Sequence, residues 1–227
     1  MADCFSWFAD AEIAVHEMAI ADASQAELLP EERAHVGRAV PKRVREFAAG
    51  RICARRAIVK LGLPPAAIPA GADRAPVWPD GVIGSITHAD GHCAAAVARA
   101  GGGIAAIGLD LEEAAPLPEG VLEIVCSAEE QAWLQAQPAA EREILARAIF
   151  SAKECAYKAQ YTLSRQMLEF HDLRLDLDPA QGRFATTFLR DAAPFARGQT
   201  ISGRLRIATG RIACAMVLPP GLHVAGQ

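Results

Sequence analysis

The chain has no Cys-x-x-Cys pair, although 6 cysteines (Cys4, Cys53, Cys93, Cys126, Cys155 and Cys214) are scattered along its 227 residues. Without clustered cysteines and histidines, neither a zinc site nor a disulfide framework is supported. Reduced thiols in a soluble cytoplasmic protein are expected. No signal peptide is expected at the amino-terminal end either. Asp3, Asp10 and Glu12 stand where a signal peptide needs positive charge and an unbroken apolar run. The longest apolar region, residues 93–109, is broken by Arg99 and by Gly101, Gly102 and Gly103, so it is too interrupted to span a bilayer. Positive charge is in deficit: 23 Lys and Arg against 27 Asp and Glu leave a net charge of -4, which argues against a general nucleic-acid binder. No Gly-rich Lys-Ser/Thr phosphate loop occurs, so P-loop nucleotide hydrolysis is not supported.

What is present suits a folded α+β protein. The residues are 52% hydrophobic and 22% charged, enough for a substantial core in one large domain or two lobes. Residues 12–20 suggest a strand, and residues 23–40 a short helix with Ser24 as its N-cap. Residues 41–61 predict a helix with Pro41 in its first turn and Gly62 just past its end; Val44, Phe47, Ala48, Ile52, Ala57, Ile58 and Leu61 mark its apolar side. After a Pro/Gly/Ala-rich loop over 63–79 come strand candidates at 82–87, 92–99 and 104–112. Hairpin turns are expected between them at Ala89-Asp90-Gly91 and at 100–103.

Two prolines in 114–120 mark an expected boundary between lobes 1–113 and 114–227. Ser127-Ala128-Glu129-Glu130 has the form of a capping box opening a helix to about residue 137. The longest helix is expected over about 141–161. Strands follow at 183–189, 200–208 and 211–218, the last two joined by Thr209-Gly210. Each half therefore reads as a helix-bearing segment plus about three strands.

Four features could carry chemistry. The helix over 41–61 holds Lys42, Arg43, Arg45, Arg51, Arg55, Arg56 and Lys60 against Glu46 alone. A solvated face accounts for part of that excess; a phosphate-bearing polyanion is the sharper reading, because arginine binds phosphate bidentately. In residues 107–113, Ile107, Leu109 and Leu111 share one strand face and Asp110 and Glu112 the other. Two carboxylates held together on a strand are either a solvated edge or a seat for a hard cation such as Mg²⁺. His88 stands at a strand end. Phe150, Glu154 and Lys158 follow one another at four-residue spacing along a helix, which is also common surface decoration.

Three separated stretches resemble the signature motifs of one family. They are Gly84-Ser85-Ile86-Thr87-His88, Ile107-Gly108-Leu109-Asp110-Leu111-Glu112, and Phe150-Ser151-Ala152-Lys153-Glu154-Cys155-Ala156-Tyr157-Lys158. In order and spacing they are similar to the 4'-phosphopantetheinyl transferases, in the Sfp-like class and nearest its enterobactin synthase component D branch. Residues 43–51 and Arg74-Ala75-Pro76-Val77-Trp78-Pro79 agree with that branch.

The resemblance implies a pseudo-dimer of two similar α+β lobes, each a small antiparallel sheet with helices on it, the active site lying between them. It implies Mg²⁺-dependent transfer of 4'-phosphopantetheine from coenzyme A to a serine of an apo acyl or peptidyl carrier protein, releasing 3',5'-ADP. Such carriers serve fatty-acid, polyketide or nonribosomal peptide synthesis, siderophores included. The enzyme is expected to be monomeric, cytoplasmic, and without nucleic-acid or membrane partners.

Carried over motif by motif, Asp110 and Glu112 hold the metal, and Glu154 completes that site or deprotonates the serine. Lys158, with Lys153 nearby, neutralises phosphate charge. His88 and Thr87 bind phosphate, and Arg51 holds the 3'-phosphate of the adenosine; Arg43 and Arg74 belong to the nucleotide end. Ile107, Leu109 and Leu111 are expected to anchor their strand in the first lobe's core, with Asp110 and Glu112 facing Glu154 across the interface. Thr87 stands where the family pattern has serine, and Phe150 where its best-known members carry Trp, so a hydroxyl and an apolar ring are kept. The rival reading is a coenzyme A or nucleotide binding module without turnover, which has no need for three carboxylates.

Overall fold

The computed structural model describes residues 3–89 and 91–221, with two antiparallel sheets and one long helix laid on each. The first sheet has β3 (His92–Arg99) at its centre, flanked by β1 (Ile13–Ala19) and β2 (Val82–Ala89). The turn expected at Ala89-Asp90-Gly91 has its middle residue outside the described residues. Helix α2 (Pro41–Lys60) buries Phe47, Ile52 and Ile58 against one face of this sheet, each burial contributing about 1.5–3 kcal/mol. Its predicted ends hold: Pro41 opens it and Gly62, at φ 73, follows its close.

The segment expected to form a helix over 23–40 does not. It divides into a 3-10 turn at Gln25–Glu27, where Ser24 Oγ accepts from Ala26 N, and a short helix α1 (Pro30–Arg33). Pro30 is the reason. It lacks an N–H and holds the preceding Leu29 in extended backbone at ψ 159.

Three of the seven α2 cations are engaged by their own lobe, which corrects the reading of that helix as one polyanion-binding stripe. Arg55 reaches Glu32 Oε2 at 2.5 Å and Arg51 donates to the Ile68 carbonyl at 2.7 Å. Lys60 donates to the Val15 carbonyl at 2.6 Å. These bonds fasten α1, strand β1 and the loop at Ile68 to the helix. Lys42, Arg43 and Arg45, in the first turns, are exposed, as is Arg56, which lies 3.6 Å from Glu27.

The second sheet has the order β4 (Ala106–Glu113), β8 (Arg211–Leu218), β7 (Thr200–Ala208), β6 (Arg183–Phe188), β5 (Leu173–Asp178). Thr209 and Gly210, at φ 52 and 75, make the two-residue turn from β7 to β8. Strand β5 alternates apolar and polar residues through Leu173-Arg174-Leu175-Asp176-Leu177-Asp178 and was missed by sequence reading. Between β4 and β5 lie α3 (Leu122–Val125), α4 (Ala128–Gln135) and α5 (Arg142–Ser164). Helix α4 opens on the expected capping box, with Ser127 Oγ accepting from Glu130 N and Glu130 Oε2 accepting from Ser127 N.

Strand β4 is where expectation and structure part. It does not form a hairpin with β3, and it is not part of the first sheet. Its ladder partner is β8, in the register Asp110 to Cys214. The other edge of β4 lies along β2, and side chains join the two. Ser85 Oγ accepts from Leu109 N and Thr87 Oγ1 accepts from Leu111 N, each at 3.0 Å. Two hydroxyls thus satisfy edge N–H groups that would otherwise be buried without partners. Ile107, Leu109 and Leu111 enter a core between the two sheets, packing with Ile13, Val15, Ala94 and Ala96 of the first and Ala213 and Ala215 of the second. The opposite face of β4 carries Asp110 and Glu112 and meets α5 of its own half, while Thr87 of β2 also reaches Asp110 Oδ1 at 3.5 Å. Gly108 is necessary there, since a Cβ on it would sit 2.1 Å from the Cys155 carbonyl oxygen.

The amino-terminal segment is tied down by Glu17, whose carboxylate accepts from Cys4 N, Phe5 N and His92 Nε2 at 3.0, 2.7 and 2.8 Å. Among the described residues, no helix is long and apolar enough to cross a membrane.

Candidate active site

The site is built where α5 crosses β4. Arg147, Ser151, Glu154 and Lys158 recur at three- and four-residue spacing, so they form one polar stripe on a helix otherwise buried by alanines. Asp110, 4% exposed, lies opposite the stripe. Lys158 Nζ donates to Asp110 Oδ1 at 2.6 Å and to the Leu109 carbonyl at 3.0 Å, while Ser151 Oγ donates to Asp110 Oδ2 at 2.8 Å. Glu112 accepts from Arg147 at 3.0 Å, and Arg147 is itself anchored on the carbonyls of Ala115 and Pro116.

Charge in this cluster is only partly compensated. Burial, reinforced by the neighbouring Asp110, pushes the Glu112 carboxyl up to about 7 although Arg147 opposes the shift. Burial and Asp110 likewise raise Glu154, against the pull of Lys158. For Lys158 burial acts against the charged form, but the Asp110 carboxylate outweighs it and holds the ammonium above its ordinary pKa. Three carboxylates facing two cations are a donor set suited to a hard divalent ion. Among the described residues, however, the one group of three His, Cys, Asp or Glu donors drawn close together is Cys4, Glu17 and His92. Asp110 and Glu112 are instead pulled apart toward Lys158 and Arg147.

His88, at the end of β2, stands beside the cluster with Nε2 3.4 Å from Arg43 NH1. Burial, together with Arg43 and Lys158, pushes its pKa below the usual value despite Glu46. Arg74 lies in the loop before β2, at φ 67.

Two cavities flank the stripe. One of about 590 Å³ is lined by Glu154, Tyr157, Leu168, Phe170 and Met167. The other, about 290 Å³, lies between the loop carrying Arg74 and Trp78, strand β2 and the Lys158 end of α5. Tyr157 and Met167 border both, so the two form one groove. Gly84 lets the Trp78 ring seat on β2: a Cβ there would lie 2.6 Å from the Ala96 carbonyl oxygen and 2.8 Å from the ring.

The structure thus brings together Asp110, Glu112, Glu154, Lys158, His88 and Arg43, with Arg74 across the groove. Three other expected residues have different work. Lys153 is 1% exposed, and its ammonium donates to Glu130 Oε2 at 2.8 Å and to the carbonyls of Val125 and Phe170 at 2.8 and 3.0 Å. Its three N–H groups are all engaged, which leaves none for phosphate. Thr87, 3% exposed, accepts from Leu111 N and donates to Asp110 Oδ1 at 3.5 Å, so its hydroxyl supports the Asp110 carboxylate. Arg51, 6% exposed, has its guanidinium 4.0 Å over the Phe47 ring and donates to the loop at Ile68; burial pushes its pKa down to about 10. It anchors the loop that carries Arg74.

Sequence reading missed Arg147 and Ser151. Their signal was available in the spacing 147, 151, 154, 158, which continues the Glu154–Lys158 face toward the amino end of the helix.

Comparison with known proteins agrees with this architecture. Residues 31–98 match the model of the 4'-phosphopantetheinyl transferase N-terminal domain, and residues 106–215 match that of the 4'-phosphopantetheinyl transferase superfamily. The gap between the two matches falls just before β4, where the chain passes from one sheet to the other. The 4'-phosphopantetheinyl transferase Svp of Streptomyces mobaraensis is 46% identical over 177 residues, 78% of this chain and 71% of that protein. PptT of Mycobacterium tuberculosis is 36% identical over 197 residues, covering 84% and 86%. Enterobactin synthase component D of Salmonella typhi is 35% identical over 125 residues, covering 52% and 48%. With both halves matched and a relative aligned across most of its length, the chain belongs to the 4'-phosphopantetheinyl transferase superfamily.

Proposed function

We propose that the chain transfers the 4'-phosphopantetheine arm of coenzyme A to a serine of an apo acyl or peptidyl carrier protein. The observation that carries this reading is the Asp110–Lys158–Glu154 cluster beside a groove with cations at one end and apolar walls at the other. Coenzyme A has that same division, with phosphates at one end and a slender arm at the other. Arg74, His88, Arg43 and Lys158 suit the phosphates, and the cavity lined by Tyr157, Leu168 and Phe170 suits the arm.

In the reaction, the serine Oγ forms a bond to the β-phosphorus. The bond from that phosphorus to the bridging oxygen breaks, and 3',5'-ADP leaves. Lys158 stabilises charge on the phosphate oxygens, and its pairing with Asp110 fixes its position before substrate arrives. Burial lowers the His88 pKa in the free protein, and an approaching phosphate would raise it and make the imidazole a better donor.

Glu154 borders the larger cavity and is assigned as acceptor of the serine proton; burial raises its pKa, which strengthens it as a base. Asp110 and Glu112 are the residues that would hold Mg²⁺, which supplies charge neutralisation of the pyrophosphate. Arg147 and Ser151 hold those carboxylates in place. Arg51 acts through the loop it anchors.

The reading is tested by incubating the protein with coenzyme A, Mg²⁺ and apo carriers of the fatty-acid, polyketide and peptide-synthetase types. A phosphopantetheine mass increment on the carrier serine is expected. No increment on any carrier would overturn the assignment and leave the binding-module reading, which calorimetry with coenzyme A alone would then detect.

A further inference from the structure

The loop bearing Arg74 and the last turns of α5 belong to different halves of the molecule, yet they touch. Tyr161 donates through its hydroxyl to Asp73 Oδ2 at 2.9 Å, and Arg165 NH1 lies 3.9 Å from the same oxygen. An exposed bond between two free side chains would be worth little, because both must be ordered to make it. Here both are ordered already. The Tyr161 ring is stacked on Tyr157 with centroids 5.6 Å apart, and the Arg165 guanidinium lies 5.7 Å from the Tyr161 ring centre. At the other end, Asp73 Oδ1 accepts from Ala75 N at 3.0 Å.

That second bond belongs to a tight turn. Gly71 N donates to the Ala75 carbonyl at 2.8 Å, and Arg74 N donates to the Gly71 carbonyl at 2.9 Å. The turn holds Arg74 at φ 67, a left-handed conformation that is unfavourable for a side chain with a Cβ and persists where surrounding contacts impose it. One carboxylate therefore does two things: one oxygen shapes the turn and the other docks it on α5. Asp73, Arg74, Trp78, Lys158, Tyr161 and Arg165 all border the 290 Å³ cavity, so the contact closes a side of the groove rather than decorating a remote surface. The two partners also shift in the sense their bond requires: the Tyr161 hydroxyl lowers the Asp73 pKa, and Asp73 raises that of Tyr161.

We propose that Asp73 and Tyr161 form a clasp between the two halves that positions Arg74 over the groove, making them determinants of affinity for the phosphate-bearing end of the donor rather than of turnover. The clasp rests on the coenzyme A reading above, and it adds two positioning residues that touch no reacting atom.

The test is steady-state transfer with full-length protein, coenzyme A, Mg²⁺ and an apo carrier. Tyr161→Phe keeps the ring stack and removes the hydroxyl; Asp73→Ala removes both carboxylate bonds. Each variant is expected to raise KM for coenzyme A about five- to tenfold, the scale of one hydrogen bond. The kcat and the KM for carrier should stay within about twofold. The double variant should be no worse than Asp73→Ala, and in an Arg74→Ala background Tyr161→Phe should have no further effect, because the clasp acts through Arg74. A loss falling on kcat, an unchanged KM for coenzyme A, or additive losses with Arg74→Ala would overturn the clasp while the transferase reading stood. Failure of the wild type to transfer or bind coenzyme A would overturn both.

Discussion

Helices α2 and α5 occupy equivalent places, each laid on one face of an antiparallel sheet, yet they use their charges in opposite ways. Helix α2 looks like the binding helix by count, but Arg51, Arg55 and Lys60 are engaged by carbonyls and by Glu32 of their own lobe. Helix α5 has fewer cations, and its polar stripe of Arg147, Ser151, Glu154 and Lys158 faces two carboxylates of β4. The difference teaches that charge density along a helix does not locate a site. What locates it is a charged group that is buried and left partly uncompensated.

The sharpest way to break this comparison is to remove one structural cation from each half. Arg55→Ala leaves Glu32 buried without its partner, and Lys153→Met does the same to Glu130. Each is expected to destabilise the fold by about 3–5 kcal/mol. Measured by denaturant unfolding, this should come with unchanged kcat/KM per folded molecule. If Lys153→Met instead kept full stability and lost affinity for coenzyme A, Lys153 would belong to the site.

The next largest effect belongs to the stripe. Glu154→Gln is expected to lower kcat about 100-fold, the lower end of what a proton acceptor contributes, with little change in Tm. Asp110→Asn should cost at least as much, since Lys158 loses its charged partner. Wild-type turnover in either variant, read from the rate of carrier modification, would remove that residue from the catalytic set.

The smallest effect concerns pH. Glu112 has its folded pKa raised to about 7, above the ordinary carboxylate value, so the folded state holds a proton that the unfolded chain has released. Its contribution to stability is therefore fully present below about pH 4 and is lost as pH rises through 7. Without divalent cation, Tm should fall by a few degrees between pH 5 and 8 from this group. Glu112→Gln should flatten that slope, and Mg²⁺ should raise Tm most above pH 7. An identical slope in Glu112→Gln would assign the pH dependence elsewhere.

Much of the fold was legible because local signals were strong. Pro41 and Gly62 bound α2, the capping box at Ser127 opens α4, and Thr209-Gly210 turns β7 into β8. The helix expected over 23–40 failed at Pro30, a breaker in plain view. The site was legible as a set of motifs rather than as an arrangement. Asp110, Glu112, Glu154, Lys158 and His88 do gather, whereas Lys153 is consumed by structure and Thr87 joins the cluster only through Asp110 and the Leu111 N–H.

By itself the sequence determined the family, the element types and which residue types stand in the motifs, because those depend on neighbours within a few positions. Only the tertiary structure decided that β4 leaves the first sheet for the second, that its apolar face fills the core between sheets, and that Asp110 turns toward α5. The physical reason is that strand partners are chosen by long-range packing. Gly108 lets α5 approach β4, and Ser85 and Thr87 satisfy the edge N–H groups that this placement leaves exposed to β2.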